Sequence, residues 1–199
     1  MNKVREPKRK SVKGKGFIRI IGGQWRGRKL PVPDSDGLRP TTDRVKETLF
    51  NWLQGRIASR RCLDLFAGSG SLSFEALSRQ AGFVQSLELA KYVTVQLKKN
   101  SLSLGLTEEQ FVIECVDTLD FLNRSPERPF DLVFIDPPFH QGLVGPCCQL
   151  LIHNGWLSPQ CLVYVEQEQD APELNIPWTL LKAKQAGQVC YQLYQVSGE

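Results

Sequence analysis

Residues 130–139 read Phe130-Asp131-Leu132-Val133-Phe134-Ile135-Asp136-Pro137-Pro138-Phe139. The first six form an apolar run of the length and composition of a buried strand. Two prolines cannot continue a strand ladder, because each lacks an N–H. The chain must therefore leave the sheet after Ile135, with a carboxylate (Asp136) and an aromatic ring (Phe139) at the exit. In an open α/β sheet, ligands bind at the carboxyl ends of the strands. There Asp136 can accept hydrogen bonds from an amino group, and Phe139 offers a flat face to a base. A plain strand exit, with Asp136 as a cap, is the competing interpretation of the same four residues.

Strand and helix patterns alternate on both sides of this stretch. Residues 62–66, 83–88, 111–115 and 161–166 read as further strands, and 45–53, 72–77, 92–102, 118–123 and 145–153 as helices. Residues 178–183 and 188–195 read as a closing antiparallel pair around Gln185-Ala186-Gly187. The alternation predicts an α/β fold with a mostly parallel sheet.

The first of these strands runs into Asp64-Leu65-Phe66-Ala67-Gly68-Ser69-Gly70 and then a helix. Glycines directly after a strand let a backbone approach a ligand closely. Glu88 ends the next strand, where an acid can take hydrogen bonds from two ribose hydroxyls. The pattern fits a dinucleotide or an adenosyl cofactor, or simply a tight strand–helix turn. A full dinucleotide fingerprint would want a third glycine where Ser73 stands. No Gly-Lys-Ser/Thr follows, which excludes a P-loop, and no Gly-x-Ser-x-Gly elbow is present.

The chain has 199 residues, 41% hydrophobic and 23% charged, enough for one domain over residues 16–199 with a single core. No apolar run reaches the ~18 residues of a membrane span, and the N-terminus is not a secretory signal. Six cysteines without a C-x-x-C pair read as reduced and mostly buried thiols of a cytoplasmic protein without structural zinc. Residues 1–15 hold seven basic residues against Glu6. That tail carries +6 of a net +4, which leaves −2 for the rest of the chain. Such a tail suits a polyanion, or solubilises the chain.

Residues 17–33 contain two short β-prone runs around Gly22-Gly23, a hairpin signal. Arg19, Arg26, Arg28 and Lys29 are candidates to contact nucleic acid from an exposed face, and Trp25 to stack on a nucleotide or to join the core. Arg39-Pro40-Thr41-Thr42 precedes a helix whose N-terminus could hold a carboxylate or phosphate. His140 reads as an exposed loop residue, His153 as a helix end and Glu166 as a strand-end acid.

Leu63-Asp64-Leu65-Phe66-Ala67-Gly68-Ser69-Gly70, Glu88, Asp117 and Asp136-Pro137-Pro138-Phe139, in this order, resemble the Rossmann-like class I S-adenosylmethionine-dependent methyltransferases. The tetrapeptide resembles the motif of those that methylate exocyclic amino groups. Residues 19–28 and 39–50 together resemble the bacterial ribosomal small-subunit methyltransferase D family, which makes N2-methylguanosine in 16S ribosomal RNA. The resemblance covers residues 17–196. It implies that Asp64, Phe66, Ala67, Gly68, Ser69 and Gly70 hold the methionine part of S-adenosylmethionine. Glu88 would hold its ribose and Asp117 its adenine amino group, while Arg39, Thr41 and Thr42 close over the methionine end beside Asp136. It implies Asp136, Pro137 and Phe139 as the catalytic set, with no metal. The partner would be 16S ribosomal RNA in the small subunit or an assembly intermediate, met by a monomer. Two departures stand out: Lys46 replaces an expected arginine, and Ser73 an expected glycine. A DNA adenine-N6 methyltransferase would share the tetrapeptide chemistry but usually carries an extra recognition region. A non-catalytic RNA-binding assembly factor could use the same scaffold. A glutamine-N5 protein methyltransferase would have Asn at 136, and an oxidoreductase lacks the third glycine.

Overall fold

In the computed structural model, which describes residues 16–33 and 43–197, the carboxyl edge of one sheet organises the chain. The strands are β1 (Phe17–Arg19), β2 (Lys29–Pro31), β3 (Arg61–Asp64), β4 (Phe83–Glu88), β5 (Phe111–Cys115), β6 (Phe130–Ile135), β7 (Leu157–Glu168), β8 (Trp178–Ala186) and β9 (Val189–Val196). The helices are α1 (Asp43–Trp52), α2 (Ser71–Ser78), α3 (Lys91–Ser103), α4 (Thr118–Leu122) and α5 (Val144–His153). Seven strands make one sheet in the order β5-β4-β3-β6-β7-β9-β8. β3 to β7 run parallel, and β9 and β8 close the edge antiparallel. The order reverses at β3, which has β4 on one side and β6 on the other. That reversal opens a crevice above the strand ends.

Continuous apolar runs define the central strands. Leu132, Val133, Phe134 and Ile135 are all fully buried, as a parallel strand covered on both faces requires. Alternate residues feed two cores. Phe134 meets Phe50 of α1, with ring centroids 6.2 Å apart, on the face covered by α1, α2, α3 and β1–β2. Val133 and Ile135 pack under α4 and α5 on the other. Cys147 and Cys148 are fully buried in α5. Burial pushes both thiols up to about 12, so they serve as packing groups.

The hairpin differs from the expectation of a tight turn at Gly22-Gly23. β1 and β2 pair over only three residues, Phe17–Arg19 against Lys29–Pro31. The intervening loop docks on α2 instead. Ser78 Oγ donates to the Gly22 carbonyl at 2.6 Å and accepts the Trp25 N–H at 3.0 Å. Glu75 Oε2 accepts the Ile21 N–H at 2.8 Å. Gly23 has φ +74°, and a Cβ there would lie 1.9 Å from the Ser78 carbonyl oxygen. Gly23 is required by this close approach, not by a two-residue turn.

The boundary expectations for β4, β5 and β6 match the structure. β3 is shorter than expected, because Leu65 and Phe66 already belong to the loop. β7 is longer and begins at Leu157, which pairs with Phe130 before a register shift. The basic tail falls on residues 1–15, outside the described residues.

Two buried carboxyl groups hold the architecture around the crevice. Glu75 is fully buried, and its Oε1 accepts from Arg79 Nε at 2.7 Å. Asp64, 2% exposed, accepts from Ser73 Oγ at 2.5 Å, and that hydroxyl also meets Ser86 Oγ at 2.7 Å. Ser73 thus ties α2 to β3 and β4 with its hydroxyl, where a glycine would only permit contact. Burial, and Asp136 nearby, push the Asp64 carboxyl up to about 7, against the Ser73 hydrogen bond.

Glu75→Ala strands the Ile21 N–H and the Arg79 guanidinium, and should lower the unfolding free energy by about 3 kcal/mol. Glu75→Gln retains an acceptor and should cost less; urea denaturation of both variants checks this. Asp64 costs the fold nothing while protonated, and the cost grows as pH rises from its ordinary value of 3.8 to about 7. Asp64→Asn should therefore flatten the fall of stability across that window, read from unfolding midpoints against pH.

Candidate active site

The strand ends around the β3 reversal enclose a cavity of about 500 Å³. Its floor is the loop from β3 to α2. Gly70 has φ +78°, and a Cβ on it would meet Phe74 at 2.6 Å and Leu97 at 2.7 Å, so the turn admits only glycine. Asp64, Phe66, Ala67, Gly68 and Ser69 line the cavity. Gly70 is absent from the wall and serves to turn the chain.

Glu88, at the end of β4, reaches back across this loop. Its Oε2 accepts the Gly68 N–H at 2.9 Å, and its Oε1 accepts the Ala90 N–H at 2.7 Å. The acid that the spacing suggested as a ribose partner therefore also pins the glycine loop, and both oxygens keep a second lone pair. Asp117 caps α4, its Oδ1 accepting the Leu119 and Asp120 N–H groups at 2.8 and 3.2 Å. Thr118 Oγ1 donates to the Leu65 carbonyl at 2.6 Å, which draws the start of α4 to the exit of β3.

Asp136, Pro137, Pro138 and Phe139 form the wall opposite Glu88. Pro137 is buried, whereas Phe139 stands at the rim, 40% exposed. His140 follows with φ +60°, and its N–H donates to Glu168. That bond holds the Glu168 carboxyl below its ordinary value. Gly68 bends at φ +50°, which turns the loop under the cavity.

The donor set suits an adenosyl sulfonium compound. Two carboxylates at the ends of β4 and β5, Glu88 and Asp117, can receive hydroxyl and amino hydrogens. Leu87, Leu89, Tyr92 and Val93 supply apolar wall between them for a flat base. The acids Asp64 and Asp136 lie on the same lining, and a positive sulfur beside them would favour their ionised forms. Leu89 and Tyr92, 70% and 54% exposed, were missed by the sequence reading. Their only signal was position, just beyond the acid that ends β4.

Arg39, Thr41 and Thr42 lie in 34–42, outside the described residues. Arg19, Trp25, Arg26, Arg28 and Lys29 do not line the cavity. The four cations are exposed, and Trp25 is half-buried against the core. Arg28 Nη2 donates to the Ser103 carbonyl at the end of α3, at 2.7 Å, and Lys29 sits 4.3 Å over the Phe17 ring. Lys46, 1% exposed, connects the hairpin to the cavity. Its Nζ donates to the Arg19 carbonyl at 2.6 Å and to Ser71 Oγ at 3.2 Å, and Ser71 lines the cavity. Burial lowers the Lys46 pKa, and Glu75 opposes that shift. Among the described residues no group of three or more His, Cys, Asp and Glu side chains is arranged to hold a metal. No helix of the described residues is long and apolar enough to cross a membrane.

The conserved hypothetical protein 95 family matches residues 18–195 of this chain. The ribosomal RNA small subunit methyltransferase D of Haemophilus influenzae is 54% identical, over 98% of this chain and 100% of the relative. The protein of the same name from Escherichia coli K12 is 50% identical over 94% of each. The solved structure of yhhF from Escherichia coli superposes with a TM-score of 0.85 at 47% identity, covering 92% of this chain and 100% of that one. With half of all residues shared over almost the full length of both proteins, the chain belongs to the ribosomal RNA small subunit methyltransferase D family.

Proposed function

We propose that this protein methylates the exocyclic N2 of a guanine in 16S ribosomal RNA, using S-adenosylmethionine. The observation that carries this is a single cavity uniting the glycine loop, Glu88 and Asp117 with Asp136-Pro137-Pro138-Phe139, in a chain of this family. When bound, the cofactor supplies an electrophilic methyl group on a sulfonium.

The protein's part is to present the amino nitrogen to that methyl. Guanine N2 is a poor nucleophile, because its lone pair is delocalised into the ring. Pro137 and Pro138 have no N–H, so the exit turn of β6 offers backbone acceptors without a competing donor. The Asp136 carboxylate and the Pro137 carbonyl accept the two N2 hydrogens. That draws the lone pair out of conjugation and stabilises positive charge as it develops. The nitrogen's surplus proton leaves toward Asp136 or water after transfer. Phe139, at the rim, stacks on the flipped-out base, a contact worth about 1–3 kcal/mol.

Charge segregation supports an RNA partner. Residues 16–33 carry Arg19, Arg26, Arg28 and Lys29, and α3 carries Lys91, Lys98 and Lys99, with no Asp or Glu in either. The two are joined by the Arg28–Ser103 bond and by Asn100 Nδ2, which donates to the Pro31 carbonyl at 2.9 Å. Two cation-bearing segments are thus held side by side, and the second starts next to Tyr92 on the cavity wall. So small a set of cations would select shape more than sequence. The substrate we propose is an RNA loop presented on the small subunit or its assembly intermediate, met in the cytoplasm by a monomer.

Labelled S-adenosylmethionine offered with small subunits from cells lacking this protein should yield N2-methylguanosine at one site, read by nucleoside digestion. Label in DNA adenine instead would overturn the proposal. Asp136→Ala should lower kcat by about 100-fold or more and leave cofactor affinity nearly unchanged by calorimetry. Joint loss of both would mark Asp136 as a folding residue.

A further inference from the structure

Glu166 stands at the carboxyl edge of the sheet near the end of β7 and is 5% exposed. The ladder pairs Phe134 with Tyr164 and Ile135 with Val165. Asp136 and Glu166 are therefore the next residues on two neighbouring parallel strands. Side chains alternate along a strand, so both follow the face of Phe134 and Tyr164, whose rings meet at 6.4 Å. Tyr164, fully buried, donates its hydroxyl to Glu166 Oε1 at 2.7 Å.

Among the described residues, the charged and titratable groups that act on Glu166 are Asp136 and Tyr164, and neither is a cation. β6 brings Asp136, its own strand brings Tyr164, and antiparallel β9 sets Tyr191 opposite. From α1, Trp52 covers Tyr191 with ring centroids 5.5 Å apart. A buried carboxyl without a counter-ion weakens a core, and packing alone would be served by an apolar side chain. Burial, and next Asp136, push the Glu166 carboxyl up, while the Tyr164 hydrogen bond pulls it down. The net direction favours the neutral form of Glu166. A neutral carboxyl can donate as well as accept, whereas an ionised one only accepts and repels a neighbouring carboxylate.

We infer that Glu166, anchored by the Tyr164 hydroxyl, is a positioning residue that holds the Asp136 side chain where it receives the amino group of the base. This rests on the role proposed above for Asp136. Glu166 does not line the cavity and touches no substrate; it acts through its neighbour. It also makes catalysis sensitive to alkali. As pH rises through the folded pKa of Glu166, a second negative charge appears beside Asp136 and displaces it.

The test compares Glu166→Ala and Glu166→Gln with the wild-type full-length protein, on S-adenosylmethionine and small subunits. Glu166→Ala should lose roughly 10- to 100-fold in kcat, with KM for both substrates within about twofold. Glu166→Gln keeps a neutral donor and an acceptor for Tyr164, and should restore most of kcat. Its kcat should also persist at alkaline pH, where the wild type declines. The infrared spectrum of the protein alone should lose protonated-carboxyl absorption at neutral pH in Glu166→Gln. A folded Glu166→Ala with wild-type kcat would overturn the inference. So would a Glu166→Gln as impaired as the alanine variant, or one sharing the wild-type alkaline decline. Should Glu166→Ala fail to fold, the pH profile and infrared spectrum of Glu166→Gln decide. An active Asp136→Ala would instead remove the reading beneath the inference, an outcome distinct from a silent Glu166.

Discussion

Everything in the site depends on the parallel pairing of β3 with β6. Cys62 pairs with Leu132, Leu63 with Val133 and Asp64 with Phe134. The Leu65 N–H then donates to the Phe134 carbonyl at 3.1 Å, after the formal end of β3. This contact joins segments about seventy residues apart in the chain and closes a long loop, which is entropically costly. The fully buried runs on both strands offset that cost. Its consequence is chemical. The glycine loop leaves one strand beside the point where Asp136 leaves the other, so the two halves of the site share one crevice.

Around that pairing lies an unusual concentration of acids. Asp64, Glu88, Asp136 and Glu166 stand at or next to the carboxyl ends of β3, β4, β6 and β7. Each is managed differently. Glu88 is stabilised by two backbone N–H groups. Asp64 is driven toward its neutral form by burial and Asp136. Glu166 is driven the same way and leans on Tyr164. Mutual repulsion among unscreened acids resolves by keeping some of them protonated. Of Asp136 and Glu166, only Asp136 lines the cavity wall.

A second polar cluster on the α1–α2 face attaches the hairpin to the catalytic domain. Glu75, Ser78 and Lys46 each make at least one hydrogen bond to a backbone group of residues 19–25. Buried polar groups are tolerable only when satisfied, and these satisfy one another across elements. Lys46 does so with one ammonium shared between the Arg19 carbonyl and Ser71. A compact ammonium suffices there, which accommodates lysine at the position where arginine was expected.

The sequence alone determined the α/β class, the central strands and the line of candidate residues along the strand ends. Apolar runs with β-branched and aromatic residues, ended by Pro-Pro or by acids before glycine, can form little else. Tertiary structure decided what local patterns cannot encode. Gly22-Gly23 looked like a turn and proved to be a docking surface, since only the position of α2 reveals how closely Ser78 approaches. Ser73 looked like a defect in a glycine pattern and became a hydrogen-bonded tie between three elements. Glu166 looked like an ordinary strand end, because its neighbour Asp136 on β6 is identified by strand register, not by spacing. Periodicity reports which face a residue prefers, but which residue meets it there depends on the order of strands in the sheet.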